Sequence, residues 1–178
     1  MPEILPIVNA VDGVIGSKER LLVHRDGDVH RVSHVWVYNS SGEVLCHKRS
    51  QEVELKPGVW DILVGGHVSF GDSYQETALR ELEEEYGLKA DEPSLSHLFK
   101  DRVDITTPQG KCNKFVDAYA FKYQGSELSL KFDRRAASEL KWISLNRLEE
   151  IKEDEEQSKD FFGFLIFDKA SSGIRKLL

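Results

Sequence analysis

The chain has 178 residues, of which 40% are hydrophobic, and its formal net charge is -7 at pH 7. This length and composition are typical of one soluble domain with a hydrophobic core, and they exclude a disordered or collagen-like protein. Two cysteines, Cys46 and Cys112, are too few for a disulfide framework. Because no Lys/Arg tract, secretory signal or long apolar run is present, we expect a cytoplasmic protein that binds neither nucleic acid nor membranes.

Turn signals divide the first part of the chain into strands. The β-rich runs 32–38 and 44–48 flank a cluster of turn residues at 39–42, which predicts a hairpin. A short apolar segment, 59–64, follows a Pro-Gly pair and leads into a glycine-rich loop. We therefore expect a third strand that feeds this loop.

The next segment has clear helix signals at both ends. Ser73 and Glu76 have the spacing of a capping box, in which each side chain satisfies a free backbone donor of the other. Gly87 is typical of a helix stop, because glycine adopts the left-handed conformation without a Cβ penalty. The pattern predicts a helix from Ser73 to about Tyr86.

Strands and helices are also predicted in the second half of the chain. The segments 97–105, 114–123 and 140–145 are rich in β-branched and aromatic residues and predict strands. Helical periodicity is present from Ser144 to about 156 and again over 160–170. These elements together predict an α/β (α+β) fold with a mixed sheet.

Three carboxylates share one stripe of the predicted helix beside the glycine-rich loop. At about 100° per residue, Glu81, Glu84 and Glu85 fall within a stripe roughly 100° wide. Like charges at this spacing cost a helix roughly 0.2–0.5 kcal/mol per pair, so the cluster is either an exposed acidic face or a functional site. Gly65 and Gly66 favour a site, because glycines let the backbone approach a ligand closely. Clustered carboxylates are typical ligands of Mg²⁺ or Mn²⁺.

The stretch 66–88 resembles the Nudix box, G-x5-E-x7-R-E-U-x-E-E-x-G-U, where U is a bulky aliphatic residue. Eight of the nine specified positions agree, and Asp72 stands where the family has glutamate. The matching residues are Gly66, Arg80, Glu81, Leu82, Glu84, Glu85, Gly87 and Leu88. The resemblance implies a Nudix-like mixed β-sheet sandwiched between α-helices. It also implies one domain over residues 1–178, with an N-terminal extension (1–30) and a C-terminal helical segment (157–178).

The resemblance assigns roles to residues of the box. It implies that Glu81, Glu84 and Glu85 hold Mg²⁺ or Mn²⁺, with the carbonyl of Gly66 as a further ligand. Arg80 is expected to orient the glutamates by ion pairing. Among the box residues we favour Glu84 as the general base that activates water.

Residues outside the box also look like elements of this family. Arg49 resembles a residue that flanks the box, and we expect it to bind substrate together with Gly65 and Gly66. Glu139 lies where family members often carry another catalytic or metal-binding acid. It is therefore either the reserve catalytic residue or an ordinary surface glutamate.

The N-terminal part of the chain looks like the branch of the family that includes isopentenyl-diphosphate isomerases. Those enzymes use histidines in this neighbourhood to bind a metal. By this resemblance His24, His30 and His67 form a second metal site; otherwise they are ordinary polar or partly buried histidines. The isomerase chemistry itself is not expected, because Gly65 replaces the catalytic cysteine and Lys114 stands near the position of an essential glutamate.

The resemblance implies a metal-dependent hydrolase. The expected substrate is a small molecule with a diphosphate linkage, such as a nucleoside diphosphate joined to another moiety. Two alternatives remain open: a nucleotide-binding or regulatory module with weak catalysis, and an isomerase-like enzyme. The apolar segment 161–167 either forms a homodimer interface or packs against its own domain.

Overall fold

The computed structural model describes residues 2–53, 56–107, 110–125 and 130–178. Within these ranges the chain forms a mixed β-sheet with helices packed on both faces. This is the α/β (α+β) architecture that the sequence predicts. No helix among the described residues has the length and apolar character that crossing a bilayer requires.

The N-terminal segment forms a hairpin followed by a short helix. Strands β1 (Ile4–Val8) and β2 (Val14–Glu19) pair antiparallel in a sheet of their own. Helix α1 (Arg20–Asp26) begins directly after β2 and ends at Gly27, which has a left-handed φ of 71°. Leu5 of β1 is fully buried, so this hairpin contributes to the protein interior.

The remaining strands form the main sheet, in the order β10-β5-β4-β3-β8-β7, with β6 paired to β3 and β9 paired to β4. Their bounds are β3 (Val29–Tyr38), β4 (Glu43–Arg49), β5 (Trp60–Asp61), β6 (Val64–His67), β7 (Leu95–Thr107), β8 (Gly110–Lys122), β9 (Ala137–Ser144) and β10 (Phe161–Phe162). β3 runs parallel to β8 and antiparallel to β4 and β6. The hairpin predicted from 32–38 and 44–48 is therefore confirmed as β3 and β4.

The predicted strand 59–64 is two short strands rather than one. β5 ends at Asp61, and the Asp61 carboxylate accepts a hydrogen bond from the backbone of Leu63 at 3.4 Å. A side chain that bonds the backbone two residues ahead favours a turn over a continuous strand. β6 then begins at Val64 and includes both loop glycines.

Helix α2 (Tyr74–Tyr86) has the predicted ends. Ser73 and Glu76 form the capping box, with hydrogen bonds of 3.1 and 2.7 Å. Gly87 ends the helix with a φ of 66°, and its N–H donates to the carbonyl of Glu83 at 2.9 Å. The apolar face of α2 packs on one face of the sheet, and its buried members include Tyr74, Ala78, Leu82 and Tyr86.

The helix predicted from Ser144 to 156 is interrupted. Ser144 caps α3 (Leu145–Glu153) by accepting a hydrogen bond from the backbone of Arg147 at 3.2 Å. Asp154 then ends α3 and caps a separate short helix, α4 (Glu155–Ser158). The break arises because the Asp154 carboxylate bonds backbone N–H groups ahead of it and starts a new helix there.

The prediction of a helix over 160–170 is correct only at its end. Phe161 and Phe162 form β10, which pairs parallel with β5, and Gly163 follows with a φ of 102°. A helix, α5 (Phe167–Arg175), begins after a single turn of 3-10 helix. The left-handed glycine therefore separates a strand from a helix where periodicity alone predicted one continuous helix.

Helices α3 and α5 cover the face of the sheet opposite to α2. Trp36 lies fully buried in the core on this side. Phe167 is also fully buried there, and Phe161 and Phe164 pack against the same core. The segment 161–167 thus packs against its own domain, although the side chain of Leu165 is 71% exposed.

Candidate active site

Helix α2 presents its carboxylates to the glycine pair of β6. A Cβ atom at Gly66 would lie closer than 3.0 Å to the Glu81 carboxylate, so only glycine fits there without movement. The backbone N–H of Gly65 donates a hydrogen bond to the Glu85 carboxylate. Both glycines therefore hold the strand backbone directly against acidic side chains.

The three glutamates of α2 differ in exposure. Glu81 is buried, and the side chain of Glu85 is 23% exposed. The side chain of Glu84 is 60% exposed, at the solvent edge of the group. This order leaves Glu84 accessible to a water molecule or a substrate, while the other two line the interior of the site.

Arg80 connects these carboxylates to β6. Its guanidinium lies 3.0 Å from Glu81 and 3.7 Å from Glu84, and it donates a hydrogen bond to the carbonyl of His67 at 3.3 Å. One side chain thus contacts two acids and the strand that faces them. Arg80 therefore forms the ion pairs with Glu81 and Glu84, and its orienting role stays a prediction.

Burial shifts the pKa values of both inner carboxylates. Burial raises the pKa of Glu81 to about 7 despite the nearby Arg80, and it raises the pKa of Glu85 to about 8. The neighbouring charges of Glu81 and Asp61 raise the pKa of Glu85 further. Buried acids without enough positive charge are stabilised by a bound cation. Oxygen donors of this kind fit Mg²⁺ or Mn²⁺.

His47 is a neighbour of the site that sequence reasoning missed. Its Nε2 atom lies 3.8 Å from the Glu85 carboxylate, and its Nδ1 atom lies 3.0 Å from the hydroxyl of Tyr86. The Tyr86 hydroxyl donates to the carbonyl of Leu45 at 3.2 Å, so it accepts from Nδ1–H of the histidine. Burial lowers the pKa of His47 to about 3, and the neutral ring adds no positive charge beside Glu85.

Arg49, the predicted substrate-binding residue, is held by an acid that sequence reasoning also missed. Its guanidinium donates to the carboxylate of Asp61 at 3.0 Å, and Asp61 is almost fully buried. Burial raises the pKa of Asp61 to about 7, while the charge of Arg49 acts in the opposite direction. The position of Asp61 between apolar residues in a short strand is the signal that identifies it.

Glu139 lies away from the carboxylates of α2. It is exposed and stands directly opposite Lys48 in the β4–β9 pair, whereas His47 stands opposite Leu140. Because neighbouring strand residues point to opposite faces, Glu139 and His47 are on different sides of the sheet. His47 contacts Glu85, so the structure does not bring Glu139 to the same group.

Asp72 lies in the turn before α2. Its backbone N–H donates to the carbonyl of Ser69 at 3.0 Å, and the residue is partly buried. It precedes Ser73, the helix cap, by one residue. The departure from the box pattern therefore falls in the turn, while the helix carries all three glutamates.

The structure brings together the three histidines from α1, β3 and β6. The Nε2 atoms of His24 and His67 are 3.1 Å apart, and one ligand atom of each histidine lies within 4.8 Å of the others. His30 is fully buried, and its Nε2 has no hydrogen-bond partner among the described residues. Burial lowers the pKa of His30 to about 4 and of His67 to about 2, so both rings are neutral at pH 7.

Lys114 lies beside this histidine cluster. It stands opposite His30 in the parallel β3–β8 pair. Burial lowers the pKa of Lys114, and its charge in turn disfavours protonation of the neighbouring imidazoles. A carboxylate at this position would have the opposite effect on the histidines.

The comparison with known families agrees with this geometry. Residues 28–162 match the NUDIX domain family. The chain belongs to this family. The segment 66–88, which runs from Gly66 of β6 through α2 with its three glutamates, is therefore the Nudix-box segment of a NUDIX domain.

Individual relatives share parts of this NUDIX domain. "Nudix hydrolase 3" of Arabidopsis thaliana is 42% identical over 106 residues, which cover 58% of this chain and 14% of that protein. "Isopentenyl-diphosphate Delta-isomerase" of Serratia proteamaculans is 34% identical over 91 residues, which cover 51% of each chain. The crystal structure of DR0079 from Deinococcus radiodurans is 27% identical, covers 82% of this chain and 86% of that one, and has a TM-score of 0.65. The chain thus spans about half or less of these two curated relatives.

Proposed function

We propose that the protein is a divalent-metal-dependent hydrolase that cleaves the diphosphate linkage of a nucleoside diphosphate joined to another moiety. The observation that supports this most directly is the burial of Glu81 and Glu85 against the backbone of Gly65 and Gly66. Membership of the NUDIX domain family and a relative named as a Nudix hydrolase point to the same chemistry.

The residues that would hold Mg²⁺ or Mn²⁺ are Glu81, Glu84 and Glu85, with the carbonyl of Gly66 as a further ligand. When bound, such an ion neutralises phosphate charge and lowers the pKa of a coordinated water. The absence of a Cβ at Gly66 lets the strand backbone lie directly against the Glu81 carboxylate.

Each side chain of the site then has its own role in hydrolysis. Glu84, the exposed glutamate, accepts a proton from the attacking water as the new P–O bond forms and the anhydride P–O bond breaks. Arg80 keeps Glu84 and Glu81 in place through its ion pairs. Arg49, held by Asp61, supplies a guanidinium for a phosphate oxygen.

The structure disfavours the isomerase alternative. The isomerase resemblance calls for a cysteine where this chain has Gly65. A Cβ at this position would lie closer than 3.0 Å to the carbonyl of Ser33 and to the ring of His34. A cysteine therefore does not fit without moving β3, and Lys114 is not an acid that could replace the missing glutamate.

A panel of nucleoside diphosphate conjugates with Mg²⁺ or Mn²⁺ tests the proposal by product release. We expect metal-dependent turnover in the native protein and a loss of roughly 100-fold or more in Glu84→Gln, as for removal of a general base. Glu83→Gln is the matched control, since Glu83 pairs with Lys89 at 3.1 Å and is not among the predicted ligands. Nucleotide binding that requires the metal, without turnover, would instead support the binding-module alternative.

A further inference from the structure

An aromatic side chain of β10 lies on the same face of the sheet as the carboxylates of α2. Phe162 is paired with Asp61 of β5, and Asp61 is paired with His47 of β4. Paired residues of neighbouring strands point to the same face, so these three side chains form one row across the sheet. His47 lies 3.8 Å from the Glu85 carboxylate. The row therefore leads from the edge of the sheet to the candidate active site.

Phe162 belongs to neither of the two hydrophobic cores that the described residues form. Its neighbours Phe161 and Phe164 pack against the core beneath α3 and α5, whereas Phe162 contributes to that core no more than to the core beneath α2. The residue is partly exposed and lies on the edge strand of the main sheet. The apolar surface of its ring is therefore available to a ligand.

The ring of Phe162 lies beside the predicted substrate-binding residue, Arg49. The guanidinium carbon of Arg49 is 5.9 Å from the centroid of the ring, and the same guanidinium donates to Asp61 at 3.0 Å. The charges of Arg49 and Asp61 both act on Glu85, so this group is an electrostatic neighbour of the carboxylates. An aromatic surface, a guanidinium and the carboxylates of α2 thus follow one another from the sheet edge inward.

This order of groups matches the parts of a nucleoside diphosphate. An aromatic ring offers a stacking surface to any nucleobase, because every base has a π face. A guanidinium suits a phosphate oxygen, and carboxylates suit the cation that a diphosphate carries. Neighbouring strands are about 4.8 Å apart, so Phe162 on β10 and His47 on β4 are on the order of 10 Å apart. This separation leaves room for a ribose between a stacked base and a diphosphate at the carboxylates.

We propose that Phe162 stacks on the nucleobase of the substrate and makes the site prefer nucleoside diphosphates over diphosphates without a base. The inference rests on the proposed function, since it takes Arg49 and the carboxylates of α2 as the subsite for the diphosphate. Phe162 is remote from the carboxylates, so its stacking stabilises the ground state and the transition state equally. Loss of the ring should therefore raise KM and leave kcat nearly unchanged.

Binding of two uncleavable probes tests the proposal without turnover. Calorimetry with Mg²⁺ compares α,β-methylene-ADP, which has a base, with methylenediphosphonate, which has none. We expect Phe162→Leu to weaken the binding of α,β-methylene-ADP roughly tenfold, as for the loss of one base–aromatic stack, and to leave methylenediphosphonate unchanged. Phe162→Trp should retain the native affinity for α,β-methylene-ADP, because an indole also supplies a stacking surface.

The matched control is Phe115→Leu. The guanidinium carbon of Arg102 lies 5.7 Å from the centroid of the Phe115 ring, so the pair resembles that of Arg49 and Phe162, but Phe115 is on β8, outside the row. This variant should bind both probes like the native protein. Thermal unfolding shows whether each variant is folded.

Three results would overturn the role of Phe162. The native protein would bind α,β-methylene-ADP no more tightly than methylenediphosphonate, or folded Phe162→Leu would bind both probes normally, or it would lose affinity for both equally because the ring acts only through Arg49. The proposed hydrolysis is judged separately. Base-dependent binding with no turnover of any conjugate would contradict the hydrolase and leave the stacking role intact, whereas metal-dependent turnover with base-independent binding would do the reverse.

Discussion

The two faces of β6 carry buried ionisable groups whose pKa values are shifted in opposite directions. On the α2 side, burial raises the pKa of Glu85 to about 8, whereas on the other side it lowers the pKa of His67 to about 2. Both shifts favour the neutral form of the side chain, because a charge in the interior loses its hydration. Each cluster is therefore predominantly neutral at pH 7.

The difference between the two faces lies in the donor atoms. Carboxylate oxygens suit Mg²⁺ or Mn²⁺, whereas neutral imidazole nitrogens suit zinc-class ions. A single strand thus separates a carboxylate cluster from an imidazole cluster by the side to which each residue points. Substitutions that act on only one face test whether the separation is real.

The largest effect is expected from Gly66→Ala. The new Cβ would displace the Glu81 carboxylate, and misplacement of a catalytic group by about 1 Å can cost roughly 100-fold in rate. We expect both Mn²⁺ affinity at the box and turnover to fall. The control is Gly16→Ala, since a Cβ there would meet nothing within 4 Å. Unchanged Mn²⁺ affinity in Gly66→Ala would show that this face is not the cation site.

The next effect is a pH dependence of stability in the metal-free protein. The pKa of Glu85 rises from 4.5 to about 8 on folding, so stability is lost as the pH rises through this window. The pKa of His30 falls from 6.5 to about 4, so stability is lost as the pH falls through that window. At about 1.4 kcal/mol per pKa unit, shifts of this size make each loss of stability a few kcal/mol.

Urea unfolding in chelator between pH 4 and pH 8 measures the loss of stability toward high pH, the alkaline limb, and toward low pH, the acid limb. Glu85→Gln should reduce the alkaline limb alone, to which Glu81 and Asp61 also contribute. His30→Gln should reduce the acid limb alone, to which His47 and His67 also contribute. A variant that flattens both limbs would show that the two faces do not titrate independently.

A smaller effect is expected from Arg80→Lys, which changes the connection between the faces. A lysine keeps the positive charge but cannot bond two acids and the His67 carbonyl in the same planar arrangement. We expect kcat/KM to fall roughly tenfold, about 1.4 kcal/mol. An unchanged kcat/KM would exclude Arg80 as the residue that orients the glutamates.

The smallest effect is expected from Ser73→Ala at the start of α2. Loss of the capping box should cost about 1 kcal/mol of stability, because the backbone N–H of Glu76 loses its acceptor. The measurement is urea unfolding, and full retention of stability would show that the cap does not stabilise the helix.

The sequence predicted α2 closely because its signals are local. The capping box at Ser73 and the glycine stop at Gly87 each depend on residues within one helical turn. The box pattern likewise identified Arg80, whose ion pairs are formed within the same helix. Short-range patterns of this kind survive folding because no distant partner is needed to complete them.

The parts that the sequence did not predict depend on distant pairing. The face on which Glu139 lies follows from the register of β9 against β4, which cannot be read from either strand alone. Asp61 ends β5 by bonding the backbone of Leu63 and also holds Arg49, and the second contact joins separate strands. His47 was missed for a similar reason, since its partner Glu85 lies on α2.

The parallel pairing of β3 with β8 affects the order in which the chain folds. These strands pair over ten positions, from Val29 opposite Asn113 to Tyr38 opposite Lys122, so the intervening polypeptide must be complete first. Contacts of such sequence separation are formed slowly, whereas a capped helix forms quickly. On a ribosome, the pairing of β3 with β8 would therefore wait until β8 has emerged. The apolar face of α2, with Leu82, shares a core with Tyr119 of β8, so the completion of this core would be a late event of folding.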